Sequence, residues 1–108
     1  MRKDFPEVIT LCGSTKFKKD FEEEIARLTL EGRIVISVGI FGHADGVDFG
    51  SDENPSEMKL MLDELHKHKI DLADRVHVIN RGGYIGTSTR GEIEYAIAHG
   101  KIITYLEN

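Results

Sequence analysis

The chain has little cysteine, no long apolar run and no excess of basic residues, and each shortage excludes a class of protein. The single cysteine, Cys12, excludes an internal disulfide and a cysteine metal cluster. No apolar stretch approaches the roughly 20 residues that span a bilayer, and the first residues lack the apolar core of a signal peptide. A net charge of −5 argues against a nucleic acid polymer, because phosphate neutralisation needs a cationic face. We therefore expect a cytoplasmic protein with neither a membrane nor a nucleic acid as partner.

Length and composition favour a single globular domain over residues 1–108. The 108 residues suffice for one core and not for two domains. Apolar residues make up 40% of the chain and charged residues 31%, a balance typical of globular rather than disordered proteins. Because Cys12 lies in an apolar run, we expect its thiol to be buried and inert.

The pattern of apolar residues predicts strands that alternate with helices. Short β-rich runs predict strands at 8–12, 33–38, 76–79 and 102–106. Apolar residues at helical spacing predict helices at 16–31, from Pro55 to about 72, and from Thr89 to about 99. The glycine-rich segment 39–54 predicts a long loop. This order predicts an α/β fold, a three-layer sandwich whose parallel four-stranded sheet has the strand order 2-1-3-4.

A glycine-rich loop after the third strand is the most informative local feature. Gly82, Gly83 and Gly86 permit a sharp turn and close approach of a ligand, and the helix that follows offers an anion its N-terminal amides. The turn at Gly13 follows the first strand. We expect both turns to meet in one crevice at the carboxyl ends of strands one and three, where open α/β sheets bind ligands.

Glu92, about one turn inside that last helix, has two interpretations. Thr89-Arg-Gly-Glu92 fits a capping box, in which the glutamate returns to the first amide of its own helix. Alternatively, the helix N-terminus keeps the carboxylate ionised, so that it can attack the anomeric carbon of a sugar or stabilise an oxocarbenium-like transition state. The spacing alone favours neither interpretation.

Two histidines on the second helix are further candidates. His66 and His68 are two residues apart and lie on different faces, so the spacing does not predict a chelating pair. One of them could face the crevice as a proton donor, tuned by Asp63 one turn earlier, whereas a solvated face is the alternative. A metal site would have to add ligands from the loop, such as His43, Asp45 or Asp48. We expect neither a metal nor a cofactor.

Three motifs resemble the nucleoside 2-deoxyribosyltransferases and the related 2'-deoxynucleoside 5'-monophosphate N-hydrolases. They are Cys12-Gly-Ser14, residues 72–78, and residues 92–101 with the specific pattern Glu-x-x-Tyr-Ala-x-Ala-x-Gly-Lys. The resemblance covers nearly the whole chain. It implies a flavodoxin-like (Rossmann-like) domain, a homo-oligomer, and cleavage of the bond between deoxyribose and base with Glu92 as nucleophile.

The chain departs from the family pattern in a way that bears on the site. His66 stands where the family usually has an aspartate, and Thr10 where it often has a tyrosine, so we assign proton handling to His66. The segment from Gly86 to Glu92 is two residues longer. The substrate-binding residues that we expect to hold phosphate or sugar oxygens, or to stack on the base, are Gly13, Ser14, Thr15, Lys16, Phe17, Gly83, Tyr84, Gly86, Thr87, Ser88 and Arg90.

Two other functions remain open. The loop Gly82-Gly-Tyr-Ile-Gly-Thr87 resembles the Gly-Gly-x-Gly-Thr signature of the cytokinin-riboside-monophosphate phosphoribohydrolases, which break the same kind of bond in ribonucleotides. A non-catalytic nucleotide-binding module would also suit a chain without the family's aspartate and tyrosine. Each alternative keeps a nucleoside or nucleotide as the partner.

Overall fold

A computed structural model describes residues 4–51 and 53–108. Its regular elements, in chain order, are β1 (Val8–Gly13), α1 (Lys18–Leu30), β2 (Ile34–Ile36), α2 (Gly42–Asp45), α3 (Glu57–Asp71), β3 (Arg75–Ile79), α4 (Thr87–Ala98) and β4 (Ile102–Tyr105). Short 3-10 turns, Thr15–Phe17 and Arg81–Gly83, follow β1 and β3. No helix within the described ranges is long and apolar enough to cross a membrane.

The four strands form one parallel sheet in the order β2-β1-β3-β4. Leu11 of β1 lies opposite His77 of β3, and Cys12 lies opposite Val78. The strand order changes direction between β1 and β3, so these neighbours mark the switch point of the sheet. The predicted α/β, flavodoxin-like fold and its strand order are confirmed.

Alternating side chains give the sheet two apolar faces, because successive residues of a strand point to opposite sides. Against α1 the buried cluster consists of Ile9, Leu11, Phe21, Leu28 and Ile79. Beneath α3 and α4 it consists of Cys12, Ile70, Val76, Val78, Ile93 and Ala96. Each large side chain buried in this way contributes roughly 1.5–3 kcal/mol to stability. The helices are therefore held on both sides of the sheet, as the layered prediction requires.

Two helices begin later than predicted. The chain forms the 3-10 turn Thr15–Phe17 first, and Phe17 has non-helical backbone angles, so α1 begins at Lys18. Pro55 does not open α3 but forms an isolated bridge to Gly50, and Ser56 caps α3 by accepting from the amide of Lys59 at 3.1 Å. A turn sets the start of α1 and a side-chain cap sets the start of α3. The spacing of apolar residues, on which the prediction depended, contains no information about either.

The connection after β2 contains more structure than a loop. β2 is limited to Ile34–Ile36, shorter than the predicted 33–38, and the following segment contains the short helix α2. The ring of Phe49 packs so closely on Gly42 that a Cβ at this glycine would have no room. This segment covers the carboxyl end of β2 and forms one side of the cavity described next.

Candidate functional site

A cavity of about 260 Å³ lies at the carboxyl ends of β1 and β3. Its walls come from the turn after β1, the segment after β2, the inner face of α3 and the start of α4. The two turns singled out in the sequence therefore meet at one cavity. Gly13 is required at this edge, because a Cβ there would lie 2.7 Å from the carbonyl oxygen of Ile79.

The start of α4 decides between the two interpretations of Glu92. The helix begins at Thr87 with Gly86 as its N-cap, and no side chain caps its first amides. Thr89 lies inside the helix and is buried, so it cannot act as the N-cap of a capping box. The capping-box interpretation is therefore wrong, and Glu92 lies in the second turn with its side chain toward the cavity.

Glu92 forms a group with the buried residues Cys12 and His66, which we call the cavity cluster. The Sγ atom of Cys12 lies 3.4 Å from Nε2 of His66, and Nε2 lies 3.9 Å from Oε1 of Glu92. The Cys12 thiol also donates a hydrogen bond to the Glu92 carboxylate. One side chain comes from β1, one from α3 and one from α4, so the fold rather than local sequence brings them together.

Burial dominates the acid–base properties of the cavity cluster. It raises the pKa of Glu92 to about 7; nearby Asp63 raises this pKa further, whereas the Cys12 hydrogen bond and Lys59 lower it. The expectation that the helix N-terminus keeps Glu92 ionised is wrong, because the carboxylate lies beyond the first turn, where the dipole effect fades. At neutral pH the acid and its carboxylate are both populated.

The imidazole of His66 is uncharged at neutral pH. Burial, followed by the charge of Lys69, lowers its pKa to about 4. The 3.9 Å approach to Glu92 is consequently a contact with a neutral imidazole and not an ion pair. Proton handling by His66 stays a prediction, and a neutral imidazole can accept a proton from water.

A lysine bridge that the sequence analysis missed joins the two helices of the cavity wall. Nζ of Lys59 donates to Oδ2 of Asp63 and to Oγ of Ser88, both at 2.8 Å. All three residues line the cavity. The i, i+4 spacing of Lys59 and Asp63 was the available signal, but the contact with Ser88 depends on how α3 packs on α4.

Seven of the predicted substrate-binding residues line the cavity: Gly13, Ser14, Thr15, Tyr84, Gly86, Thr87 and Ser88. Four others do not, namely Lys16, Phe17, Gly83 and Arg90. Nζ of Lys16 lies 3.5 Å from the centroid of the Tyr84 ring, and Phe17 packs edge-on against the same ring. These two residues thus support Tyr84 from outside the cavity.

Two of the alternative metal ligands proposed from the sequence, His68 and Asp45, contact other residues. His68 is exposed, with Nδ1 3.6 Å from Asp71, and Asp45 pairs with Lys18. The side chain of His43 lies outside what the structure describes. Among the described residues, the three side chains of the cavity cluster have donor atoms within 4.8 Å of one another, a spacing that could hold a metal ion.

No protein-family model matches the chain, and no curated protein matches its sequence. The fold class is established by the sheet itself.

Proposed function

We propose that the protein cleaves the N-glycosidic bond of a nucleoside or nucleoside 5'-monophosphate, with Glu92 as the nucleophile and water or a second base as acceptor. The observation that carries the proposal is a carboxyl group held inside a cavity and aimed away from its own helix start. The cavity volume of about 260 Å³ is close to the lower end of the roughly 300–1,000 Å³ typical of small-ligand pockets. It therefore has the size expected of a small-ligand pocket.

The reaction would proceed in two displacements, as in retaining glycosidases. An ionised oxygen of Glu92 attacks C1', and the base leaves with the electrons of the broken C–N bond and takes up a proton from water. Water then attacks C1' of the ester intermediate, and neutral His66 can accept its proton before passing it to solvent. Overall, water supplies the hydroxyl of the sugar and the proton of the released base.

The same cavity offers groups for the rest of the ligand. The uncapped amides at the start of α4 favour an anionic oxygen, and Lys59 adds a positive charge beside them. The turn after β1 contributes Ser14, whose side chain accepts from the amide of Lys16. Tyr84, already in contact with Lys16 on its ring, supplies a face on which a base can stack.

Base release measured by chromatography tests the proposal. Purified protein is incubated separately with each common nucleoside, deoxynucleoside and 5'-monophosphate. Glu92→Gln should lower the rate by roughly 10³-fold or more, because removing a nucleophile removes the covalent route. Glu94→Gln is the matched control, because Glu94 is exposed on the same helix, and it should retain the rate. No release from any substrate, or equal release by Glu92→Gln, would contradict the proposal.

A nucleotide-binding module without turnover is the second candidate, favoured by the neutral imidazole of His66 at the position of a family acid. Such a module predicts a higher melting temperature with nucleotide, because a ligand that binds only the folded state stabilises it. Stabilisation of both wild type and Glu92→Gln, with no base released by either, would select this function over the enzyme.

A further inference from the structure

We infer that Cys12, His66 and Glu92 form a three-ligand site for a divalent transition-metal cation of the zinc class. Thiolate, imidazole and carboxylate are the protein ligands that zinc takes, and catalytic or exchangeable zinc sites use three of them with one position open. Here the three come from β1, α3 and α4, and their donor atoms lie within 4.8 Å of one another.

The distances between donor atoms suit a tetrahedral cation. Bonds of about 2.3 Å to sulfur and about 2.0–2.1 Å to nitrogen place the two ligand atoms roughly 3.5 Å apart at a tetrahedral angle. Sγ of Cys12 and Nε2 of His66 are 3.4 Å apart. The separation between Nε2 and Oε1 of Glu92 is 3.9 Å, whereas the corresponding tetrahedral value is roughly 3.4 Å. A small rotation of the Glu92 side chain, which borders the cavity, closes this difference.

The charges of the cluster select the kind of cation. A thiolate and a carboxylate carry two negative charges and a neutral imidazole carries none, so together they balance a divalent ion in a buried place. Sulfur and imidazole ligands favour zinc, cobalt or copper over magnesium or calcium. The nearby lysines are engaged elsewhere, since Lys59 binds Asp63 and Ser88 and Lys69 donates to the carbonyl oxygen of Ser37.

The surroundings supply access and a fixed ligand orientation. His66 and Glu92 both line the cavity, which gives the cation a path from solvent and leaves a fourth position for water. His66 also lies beside the backbone of Leu11, and such neighbours outside the ligand shell commonly help to hold an imidazole in metal sites. Binding replaces the proton of the Cys12 thiol, which is released to solvent, and forms the sulfur–metal bond.

Metal binding has a consequence that rests on the proposed function. A Glu92 oxygen bound to the cation cannot attack C1', so zinc should inhibit base release and a chelator should restore it. The metal site itself does not depend on that reaction. Binding without any enzymatic turnover would leave the site in place and count only against the proposed function.

Cobalt titration of the metal-free full chain tests the site, because a sulfur–cobalt bond adds a charge-transfer band in the near ultraviolet. We expect the band to saturate at one equivalent of Co²⁺ and to disappear when Zn²⁺ displaces the cobalt. Absence of the band, or saturation only at a large excess of cobalt, would overturn the inference.

Variants separate this site from binding at the surface. Cys12→Ser should abolish the band, and His66→Gln should weaken zinc binding by more than the roughly 10- to 100-fold that loss of an outer partner typically causes. His68→Gln is the matched control on the same helix and should bind zinc as wild type does, because His68 is exposed outside the cavity cluster. Zinc affinity lost in His68→Gln but retained in both other variants would overturn the inference. Thermal unfolding without metal checks that each variant folds.

Discussion

Two histidines lie almost equally buried on opposite faces of the sheet, and their surroundings differ. His66 and His77 are each 5% exposed. On the α1 side, Nε2 of His77 contacts Oε1 of Glu24 at 2.9 Å, and Nδ1 contacts Oγ1 of Thr104 at 2.8 Å. On the other side, Nε2 of His66 lies 3.4 Å from the Cys12 thiol and 3.9 Å from the Glu92 carboxyl group, at the edge of the cavity. Burial alone therefore does not distinguish a structural histidine from one in a site.

The network around His77 is complete in charge as well as in hydrogen bonds. Arg27 donates to both carboxylate oxygens of Glu24, at 2.9 and 2.8 Å, and these bonds, opposed by burial, lower the pKa of Glu24. Arg75 donates to Oγ1 of Thr104 at 3.1 Å. Every member thus has an opposite charge or a hydrogen-bond partner, which is the arrangement expected of buried polar groups that hold a fold together.

The cavity cluster has the opposite character, because burial raises the pKa of Glu92 by more than Cys12 and Lys59 lower it. An arrangement that disfavours the charged form reduces stability at neutral pH, and such arrangements concentrate at functional sites. The comparison therefore predicts that substitutions on the α1 side affect stability and that those in the cavity cluster affect activity.

The largest stability effect should come from Glu24→Gln. Removing the carboxylate leaves His77 and Arg27 without their shared partner, and breaking such a buried pair typically costs about 3–5 kcal/mol. Because Arg27 is partly exposed, we expect the lower end of this range. Urea denaturation measures the free energy of unfolding. A loss below 1 kcal/mol, on the order of an exposed ion pair, would contradict the structural role of the network.

Glu92→Gln should change stability in the opposite direction. The rise of the folded-state pKa from 4.5 to about 7 corresponds to roughly 3 kcal/mol that the ionised side chain costs the fold, and the amide avoids that cost. The variant should therefore match or exceed wild-type stability at pH 8, measured by denaturation with a chelator present. A variant several kcal/mol less stable than wild type would remove the contrast between the two faces.

Acid should weaken the fold through the His77 network. The folded-state pKa values of His77 and Glu24 are both lowered, His77 chiefly by burial and Glu24 chiefly by the hydrogen bonds from Arg27. As pH falls, the unfolded chain therefore binds protons more readily than the folded chain does. The stabilisation is complete above the unfolded-state pKa values, about 6.5 for His77 and 4.3 for Glu24, and is lost as pH falls below them. His77→Gln should reduce the loss of stability between pH 7 and 5, by at most about 1.4 kcal/mol per pH unit. Equal slopes for wild type and variant would contradict this account.

Thr104→Val should have the smallest effect. The substitution removes a hydroxyl that contacts His77 and accepts from Arg75 in a partly buried place, and a typical intramolecular hydrogen bond contributes about 0.5–1.5 kcal/mol to stability. Thr29→Val, at an exposed position of α1, is the control and should change stability by less than about 0.5 kcal/mol. Similar values for both variants in thermal denaturation would show that the hydroxyl of Thr104 contributes little.

The layered fold could be predicted because apolar runs and helical spacing are local signals. The start of α4 could not be predicted, because Gly86 serves as N-cap without a side chain, while Thr89 and Glu92 imitate a capping box that begins three residues later. The environment of Glu92 could not be predicted from the sequence either. Burial against α3 and β1 raises the pKa of Glu92, and this burial arises only when the layers of the fold pack together. In the sequence, Cys12 is indistinguishable from an ordinary core residue, because the Glu92 carboxylate comes close to it only through the packing of α4.

The most direct test of Glu92 as nucleophile is to trap the glycosyl-enzyme intermediate. The reaction is quenched with acid during turnover of whichever nucleoside or nucleotide releases base, and the digested protein is analysed by mass spectrometry. We predict that the peptide containing Glu92 gains the mass of the sugar or sugar phosphate joined as an ester, and that Glu92→Gln shows no such gain. Rapid base release with an unmodified Glu92 peptide, and undiminished release by Glu92→Gln, would contradict the account.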